Sequence, residues 1–322
     1  MDYVIGVDLG GTQIRAVRAG MDGRIEERRA VLTLAAEGPL SVLDRMRALV
    51  ASVWGEGGVQ AIAVGVPGPT DPYRGVLLTG PNLPGWHEVD LKQELGAHFA
   101  APVFVGNDAN LAGLAEHRFG AGVGFRHMVY ITHSTGIGTS VIIDGRMLLG
   151  RMGLAAEIGH TTINLSADSP QNNLVGTLEG MTSGPNFARR AQIALRAGAI
   201  SRAVELAGGD IAAVTPVELS QAAREGDAFA LEQYRLVGRY LGTGIVNILH
   251  TFNPECIVIG GGVWLHCRDL MVDSMWETIR SRAQSPAYWQ DLEIRTAALG
   301  DDVGLLGAVA LALDGLRGER SI

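Results

Sequence analysis

This chain lacks most features that would place a protein in a membrane, on a polyanion or in an oxidising compartment. It has two cysteines in 322 residues, Cys256 and Cys267. That is too few for a disulfide framework or a cysteine-built zinc cluster. Basic residues form no cluster and the net charge is -8, which argues against nucleic acid and anionic membrane surfaces as partners. The apolar runs are strand-length and broken by glycine, so no transmembrane helix is expected. No secretory leader is expected either, because Asp2 stands where positive charge would be and an apolar strand follows at once. A cytoplasmic protein is the default expectation. Charged residues make up 19% and hydrophobic residues 47%, the balance of a globular protein with a large core. The 44 glycines fall in turns between apolar runs, not in a low-complexity tract.

The pattern predicts an α/β chain. Residues 3–31 read as a three-stranded meander with turns at Gly10-Gly11 and Asp22-Gly23. Pro39 opens a helix to Trp54, with Leu40, Leu43, Met46, Leu49 and Val53 on one face. A buried strand Ala61–Val66, a helix over 90–100, a strand Val103–Gly106 and a helix Asp108–Phe119 follow. A second unit repeats the order. Met128–Thr132 and Ser140–Ile143 read as strands flanking a polar glycine turn, His133–Thr139. Helices are expected over Pro185–Ala197 and Asp227–Phe252, and one starts at the capping box Thr215-Pro216-Val217-Glu218. Cys256–Ile259 reads as a strand, Leu265–Ala283 and Val303–Leu316 as helices. The likeness of 128–143 to 4–19 suggests an internal duplication.

Three glycine turns follow strands. In Val4–Arg15 the carboxylate of Asp8 ends an apolar run, and Gly10 and Gly11 are free to take positive φ. With the Thr12 hydroxyl, their N–H groups can wrap an anion. A carboxylate beside such a cradle suits Mg²⁺ and a nucleotide, although a plain β-hairpin would also account for the stretch. Ser134-Thr135-Gly136-Ile137-Gly138-Thr139 repeats the logic. Gly260-Gly261-Gly262 lies between a strand and a helix, whose N-terminus favours anions. Neither the G-x-G-x-x-G dinucleotide fingerprint nor a Walker A motif is present.

The remaining candidates are side chains that could hold a polyol. Asn107 and Asn110 flank Asp108 at a strand end. Asp108 could simply cap the next helix, or it could accept a hydroxyl proton. Glu157 and His160 are spaced to share a helical face or a turn. They could be a surface pair, a metal half-site or hydrogen-bonding groups for a sugar. Glu179 reads by itself as solvated surface. Asn82 sits in the rigid loop Pro81-Asn82-Leu83-Pro84-Gly85-Trp86, where Trp86 could pack on the domain.

Together these residues resemble the ROK family of sugar kinases and sugar-responsive repressors, within the actin/hexokinase/Hsp70 superfamily. The resemblance runs over nearly the whole chain. It includes Asp8-Leu9-Gly10-Gly11-Thr12, Val66-Pro67-Gly68, Pro81–Trp86, Asn107-Asp108-Ala109-Asn110, Thr135-Gly136-Ile137-Gly138, Glu157-Ile158-Gly159-His160, Leu178-Glu179 and Ile259-Gly260-Gly261-Gly262. It implies two actin-like, ribonuclease H-like α/β lobes with a cleft between them. One lobe would be 1–120 plus a C-terminal helix of about 300–322, the other 121–299. It implies that Asp108 is the catalytic base and that Gly68, Asn82, Asn107, Asp108, Glu157, His160 and Glu179 hold sugar. Gly10, Gly11, Thr12, Thr135, Gly136 and Gly138 would face the ATP phosphates, Gly261 and Gly262 the adenosine, and Asp8 would hold Mg²⁺ through water. A homodimer or homotetramer is expected, because family members commonly are and because the helix over Ala230–Leu249 is strongly apolar.

The chain departs from the family between Gly159-His160 and Leu178-Glu179. A zinc-binding C-x-C-G-x-x-G-C cluster is usual there, but Thr161–Thr177 has no cysteine. A structural zinc needs thiolate or imidazole ligands, so none is expected. Pro170, Asn172 and Asn173, with Ile163, Leu165, Leu174 and Val175 packed on the lobe, are the candidates to hold this loop. His133-Ser134 precede Thr135 where glycine is common, so a side chain could narrow the phosphate turn. The expected activity is ATP-dependent phosphorylation of a hexose, with glucose at its 6-hydroxyl as first substrate. N-acetylhexosamine, mannose or fructose are alternatives, and a non-catalytic sugar-sensing protein is the alternative of another class.

Overall fold

The computed structural model describes residues 2–81, 83–166 and 174–318. It opens with β1 (Asp2–Leu9), β2 (Gln13–Gly20) and β3 (Ile25–Leu32). Helix α1 (Pro39–Val53) starts with proline in its first turn. There φ is preset and no N–H is missed. Its buried face is Val42, Leu43, Met46, Leu49, Val50 and Val53. Leu40, expected on that face, is 75% exposed, because the first turn overhangs the core. Next come β4 (Gly58–Val66), β5 (Thr70–Asp71), β6 (Val76–Thr79), β7 (His87–Asp90), α2 (Leu91–Gly96), β8 (Val103–Asn107) and α3 (Asp108–Phe119). Helix α2 is shorter than the expected 90–100, with Asp90 as the N-cap that accepts from Gln93 N. Trp86 is fully buried beneath its loop.

The second half has β9 (Met128–His133), β10 (Ile137–Ile143), β11 (Arg146–Met147), α4 (Leu178–Thr182), α5 (Gly184–Arg196), α6 (Arg202–Leu206), α7 (Pro216–Arg224) and α8 (Ala228–Phe252). It closes with β12 (Cys256–Gly260), α9 (Gly262–Arg282), β13 (Glu293–Thr296) and α10 (Val303–Arg317). Helix α7 carries the expected capping box between Thr215 and Glu218. Strand β10 begins earlier than expected, so Gly138 and Thr139 belong to a strand and only residues 134–136 turn. Helix α9 likewise begins at Gly262, not at Leu265.

The strands form two five-stranded sheets and a small three-stranded one, β5-β6-β7. The large sheets run β3-β2-β1-β4-β8 and β11-β10-β9-β12-β13. The two orders correspond strand for strand, which is the duplication that the strand–turn–strand pattern suggested. In the first sheet β1, β4 and β8 are parallel neighbours, so their carboxyl ends share one edge. That edge is where ligands bind in open α/β sheets.

The chain divides into two compact units. One comprises Met1–Tyr130, Ser140–Ala156 and Ala297–Ile322; the other comprises Ile131–Thr139 and Glu157–Thr296. The core of the first is an apolar layer of Ile5, Val7, Met46, Ile62, Val64, Leu77 and Trp86. Outside that layer, the fully buried Glu116 of α3 accepts from Ala298 N (2.9 Å), Leu299 N (3.0 Å) and Ala121 N (2.8 Å). These bonds tie α3 to the segment that leads into α10. In the second unit α8 and α9 pack closely. A Cβ at Gly238 or Gly242 would meet Met271 O at 2.3 Å or Met275 O at 2.6 Å. Val237, Leu241, Ile245 and Leu249 of α8, part of the apolar stretch that suggested an oligomer, are buried within the chain.

Candidate active site

In the first unit, Asp8 lies on β1 directly opposite Arg15 of β2. Arg15 Nη2 and Nε donate to Asp8 Oδ2 at 2.5 and 3.1 Å. Asp8, expected to hold Mg²⁺ through water, is one half of an ion pair. The Gly10-Gly11-Thr12 turn closes with Gly10 N donating to Gln13 O at 2.9 Å. Gly10 does not enter the left-handed region it was expected to use. Thr33 pins the turn from outside: its hydroxyl donates to Gly10 O at 2.6 Å and its N–H to Thr12 O at 2.8 Å. Gly11 and Thr12 stay exposed. Thr33 was not legible beforehand, since a threonine beyond an edge strand carries no signal of its partner.

At the end of β8 the cap of α3 is Asn107 rather than Asp108. Asn107 Oδ1 accepts from Ala109 N (2.9 Å) and Asn110 N (3.1 Å). Its amide nitrogen donates to Gly68 O at 3.1 Å, so Asn107 also holds the loop after β4. Asp108 is left as the first helical residue, with Oδ1 accepting from Ala109 N at 2.8 Å. Its side chain reaches solvent, yet its pKa is pushed up to about 6. Desolvation by the surrounding protein is the main cause, and the negative charge of Asp8 adds to it. The Ala109 N–H and Asn107 oppose it. A carboxyl so poised is ionised at neutral pH and basic enough to take a hydroxyl proton. Asn82 lies outside the described residues.

In the second unit, the turn after β9 sits against two helix starts. Ser134 N donates to Gly136 O at 3.0 Å, and Gly184 N of α5 donates to Ser134 O at 2.9 Å. Gly261, ahead of α9, has φ +87, and a Cβ there would lie 2.5 Å from His133 O. Glycine is needed on both counts. Helix α9 has no side-chain cap, which leaves N–H groups at its N-terminus for an anion. Thr135 is exposed on the turn. The His133 side chain does not narrow the turn. It is fully buried, and its Nε2 lies 2.7 Å from Thr182 O. Burial lowers its pKa to about 4, against the Thr182 bond. The ring is neutral at physiological pH, with Nε2 as donor.

The acidic candidates of this unit are placed differently from one another. Glu157 precedes a 3₁₀ turn, Ile158–His160, and pairs with His160 Nδ1 at 3.4 Å, both side chains being 54% exposed. Glu179, read alone as surface, accepts from Ile137 N at 2.7 Å. It thereby holds the strand that leaves the phosphate-type turn. The loop that would carry zinc is closed by backbone bonds. Ile163 N and Asn164 N both donate to Gly176 O (2.8 and 3.0 Å), and Leu178 N donates to Thr161 O (3.0 Å). Asn164 Nδ2 reaches Tyr240 Oη at 3.2 Å. Leu165 is 94% exposed and Val175 38%, so these two do not pack as expected. Asp168, Pro170, Asn172 and Asn173 lie outside the described residues. Among the described residues no three His, Cys, Asp or Glu side chains gather as a metal site, and no helix is long and apolar enough to cross a membrane.

Comparison with known proteins gives this arrangement a context. A glucokinase of Thermotoga maritima is 32% identical over 315 residues, 98% of each chain. An N-acetylmannosamine kinase of Escherichia coli is 32% identical over 308 residues, 96% of this chain and 97% of that one. A solved ROK family glucokinase of Streptomyces griseus, in complex with glucose and AMPPNP, superposes with a TM-score of 0.75 at 32% identity. It covers 96% of this chain and 99% of that one. These likenesses give the chain the two-lobe, actin-like α/β fold. The model of the ROK family matches residues 4–315, and the chain belongs to the ROK family.

Proposed function

We propose that this chain is an ATP-dependent hexose kinase that phosphorylates glucose at its 6-hydroxyl, with Asp108 as general base. One observation carries the reading: a solvent-reachable carboxyl at the head of α3, oriented by Ala109 N and raised to about 6. This carboxyl favours an enzyme over a sugar-sensing protein, whose function requires no base. The glucokinase relative at 32% identity supports glucose as the first substrate.

In the proposed reaction the 6-hydroxyl loses its proton to Asp108 while its oxygen forms a bond to the γ-phosphorus. The bond from that phosphorus to the β,γ-bridging oxygen breaks, and ADP leaves. Glu157, His160, Glu179, Asn107, Gly68 and Asn82 are assigned to the sugar hydroxyls. Asn107 holds Gly68 and the helix start in place. The turns Gly10–Thr12 and Thr135–Gly138 are assigned to the phosphates, through N–H groups other than those of Gly10 and Ile137, which are bonded to Gln13 O and Glu179; Gly261 and Gly262 are assigned to the adenosine. Transfer of this kind depends on positioning and charge stabilisation more than on covalent chemistry. Asp8 fits a hard divalent ion, because it offers a carboxylate oxygen, Oδ1, that Arg15 leaves open. Mg²⁺ bound there through water would neutralise charge on the transferring phosphates.

The test is ADP release across glucose, mannose, fructose, N-acetylglucosamine and N-acetylmannosamine, at saturating ATP and Mg²⁺. Glucose should give the highest kcat/KM. A preference for N-acetylmannosamine would move the assignment to the other relative's substrate. No sugar-dependent ADP from any of the five would defeat the kinase reading.

A further inference from the structure

The Asp8–Arg15 pair is built more firmly than a surface ion pair. The two residues are in register across the β1–β2 hairpin. Two guanidinium nitrogens meet a single oxygen, Asp8 Oδ2. The third nitrogen, Nη1, donates to Asp301 O at 2.8 Å, in the 3₁₀ turn Gly300–Asp302 that leads into α10. The carboxylate also lies against α10: a Cβ on Gly304 would come within 2.9 Å of Oδ2 and 3.2 Å of Oδ1. The side chains are only 17% and 28% exposed. Arg28 nearby is itself paired with Asp302, and Asp108 is the other negative charge that senses Asp8.

Asp8 thus has its charge balanced by a cation and packs against a helix glycine, and Arg15 leaves its Oδ1 unbonded. A free divalent ion needs several oxygen ligands with net negative charge. An ion that arrives on a triphosphate brings those anions with it. We infer that Arg15 is a resident counter-cation that denies Asp8 to free divalent metal and reserves it for metal delivered on the nucleotide. The inference rests on the assignment of Asp8 to the metal side of the proposed kinase site. It makes Arg15 a positioning residue with a selective role, not a catalytic one.

The test needs neither sugar nor turnover. Binding of Mn²⁺, a paramagnetic stand-in for Mg²⁺, is followed by the loss of the free-ion EPR signal in nucleotide-free protein. Wild type should show no saturable site at millimolar Mn²⁺ and should acquire one when ADP is added. Arg15→Met should bind Mn²⁺ without ADP at least about tenfold more tightly than wild type, since a unit charge has been removed at hydrogen-bond distance from the ligand. The double variant Arg15→Met/Asp8→Asn should lose that site. Arg15→Lys keeps the charge and the hairpin, and it should behave as wild type. Equal Mn²⁺ binding by wild type and Arg15→Met would overturn the inference. So would a wild-type site that is indifferent to ADP, or Lys and Met variants that bind alike. Failure of the kinase reading would appear elsewhere, as absent ADP release in the sugar panel.

Discussion

Replacing Glu116 by alanine tests how the first unit holds its two functional ends together. Glu116 is fully buried and receives three backbone N–H groups, from Ala121, Ala298 and Leu299, at 2.8 to 3.0 Å. Hydrogen bonds to a charged acceptor are each worth about 1.5–3 kcal/mol. Burial of the carboxylate costs several kcal/mol in the opposite direction. The variant loses the acceptor but keeps the buried donors, so the balance falls on the destabilising side. A loss of about 3–5 kcal/mol is expected, since three buried N–H groups are left unpaired at about 1–3 kcal/mol each while the desolvation cost of the carboxylate is recovered. Glu116→Gln should cost less, about 2–3 kcal/mol, because one amide oxygen still accepts while the NH₂ faces a donor. Urea denaturation followed by circular dichroism measures the sum. Amide hydrogen exchange at Ala298 and Leu299 locates it. A Glu116→Ala protein within about 1 kcal/mol of wild type, the usual scale of a surface substitution, with unchanged exchange at those two amides, would refute the reasoning.

Three further outcomes follow. Asp108→Asn preserves the shape and leaves the Asn107 cap in place, so kcat should fall by roughly 10²–10⁴-fold while sugar affinity changes far less. Because the base acts ionised and its pKa is raised to about 6, kcat/KM should decline with unit slope as pH drops below about 6; a limb near pH 4 would show that the carboxyl is not raised. Gly261→Ala forces a side chain into φ +87 and against His133 O. It should cost about 2 kcal/mol and raise the KM for ATP, which a melting curve and steady-state kinetics would check. EDTA inactivation should be fully reversed by Mg²⁺ alone, and elemental analysis finding about one zinc per chain would contradict the expected absence of a structural zinc.

Local signals were legible where chemistry acts over a few residues. The Asn107-Asp108 start of α3, the Thr215 capping box and proline at the head of α1 all stand where the pattern predicts them. The repeated strand–turn–strand emerges as two sheets of one connectivity. Long-range partners were not legible. Arg15 reads as any charged strand residue until the hairpin register sets it opposite Asp8. Glu116 reads as an exposed helical charge, because its donors at 298 and 299 are remote in sequence. The cap itself was placed one residue late, at Asp108 instead of Asn107, since both side chains of an Asn-Asp pair can reach the same N–H and only backbone geometry chooses between them. Strands as short as β5 have too few residues for alternation to register.

The bond from Ile137 N to Glu179 bears on how substrate range can evolve or be engineered. In the proposed assignment, one carboxylate serves both a sugar hydroxyl and the strand that shapes a phosphate turn. A substitution at Glu179 therefore perturbs both co-substrates together, and a selection for a new sugar would meet an immediate penalty in nucleotide use. Glu157 and His160 carry no such second duty, being half-exposed and paired with each other. In the proposed assignment they are the modular positions. Libraries that seek altered sugar preference should vary 157 and 160 and leave 179 untouched.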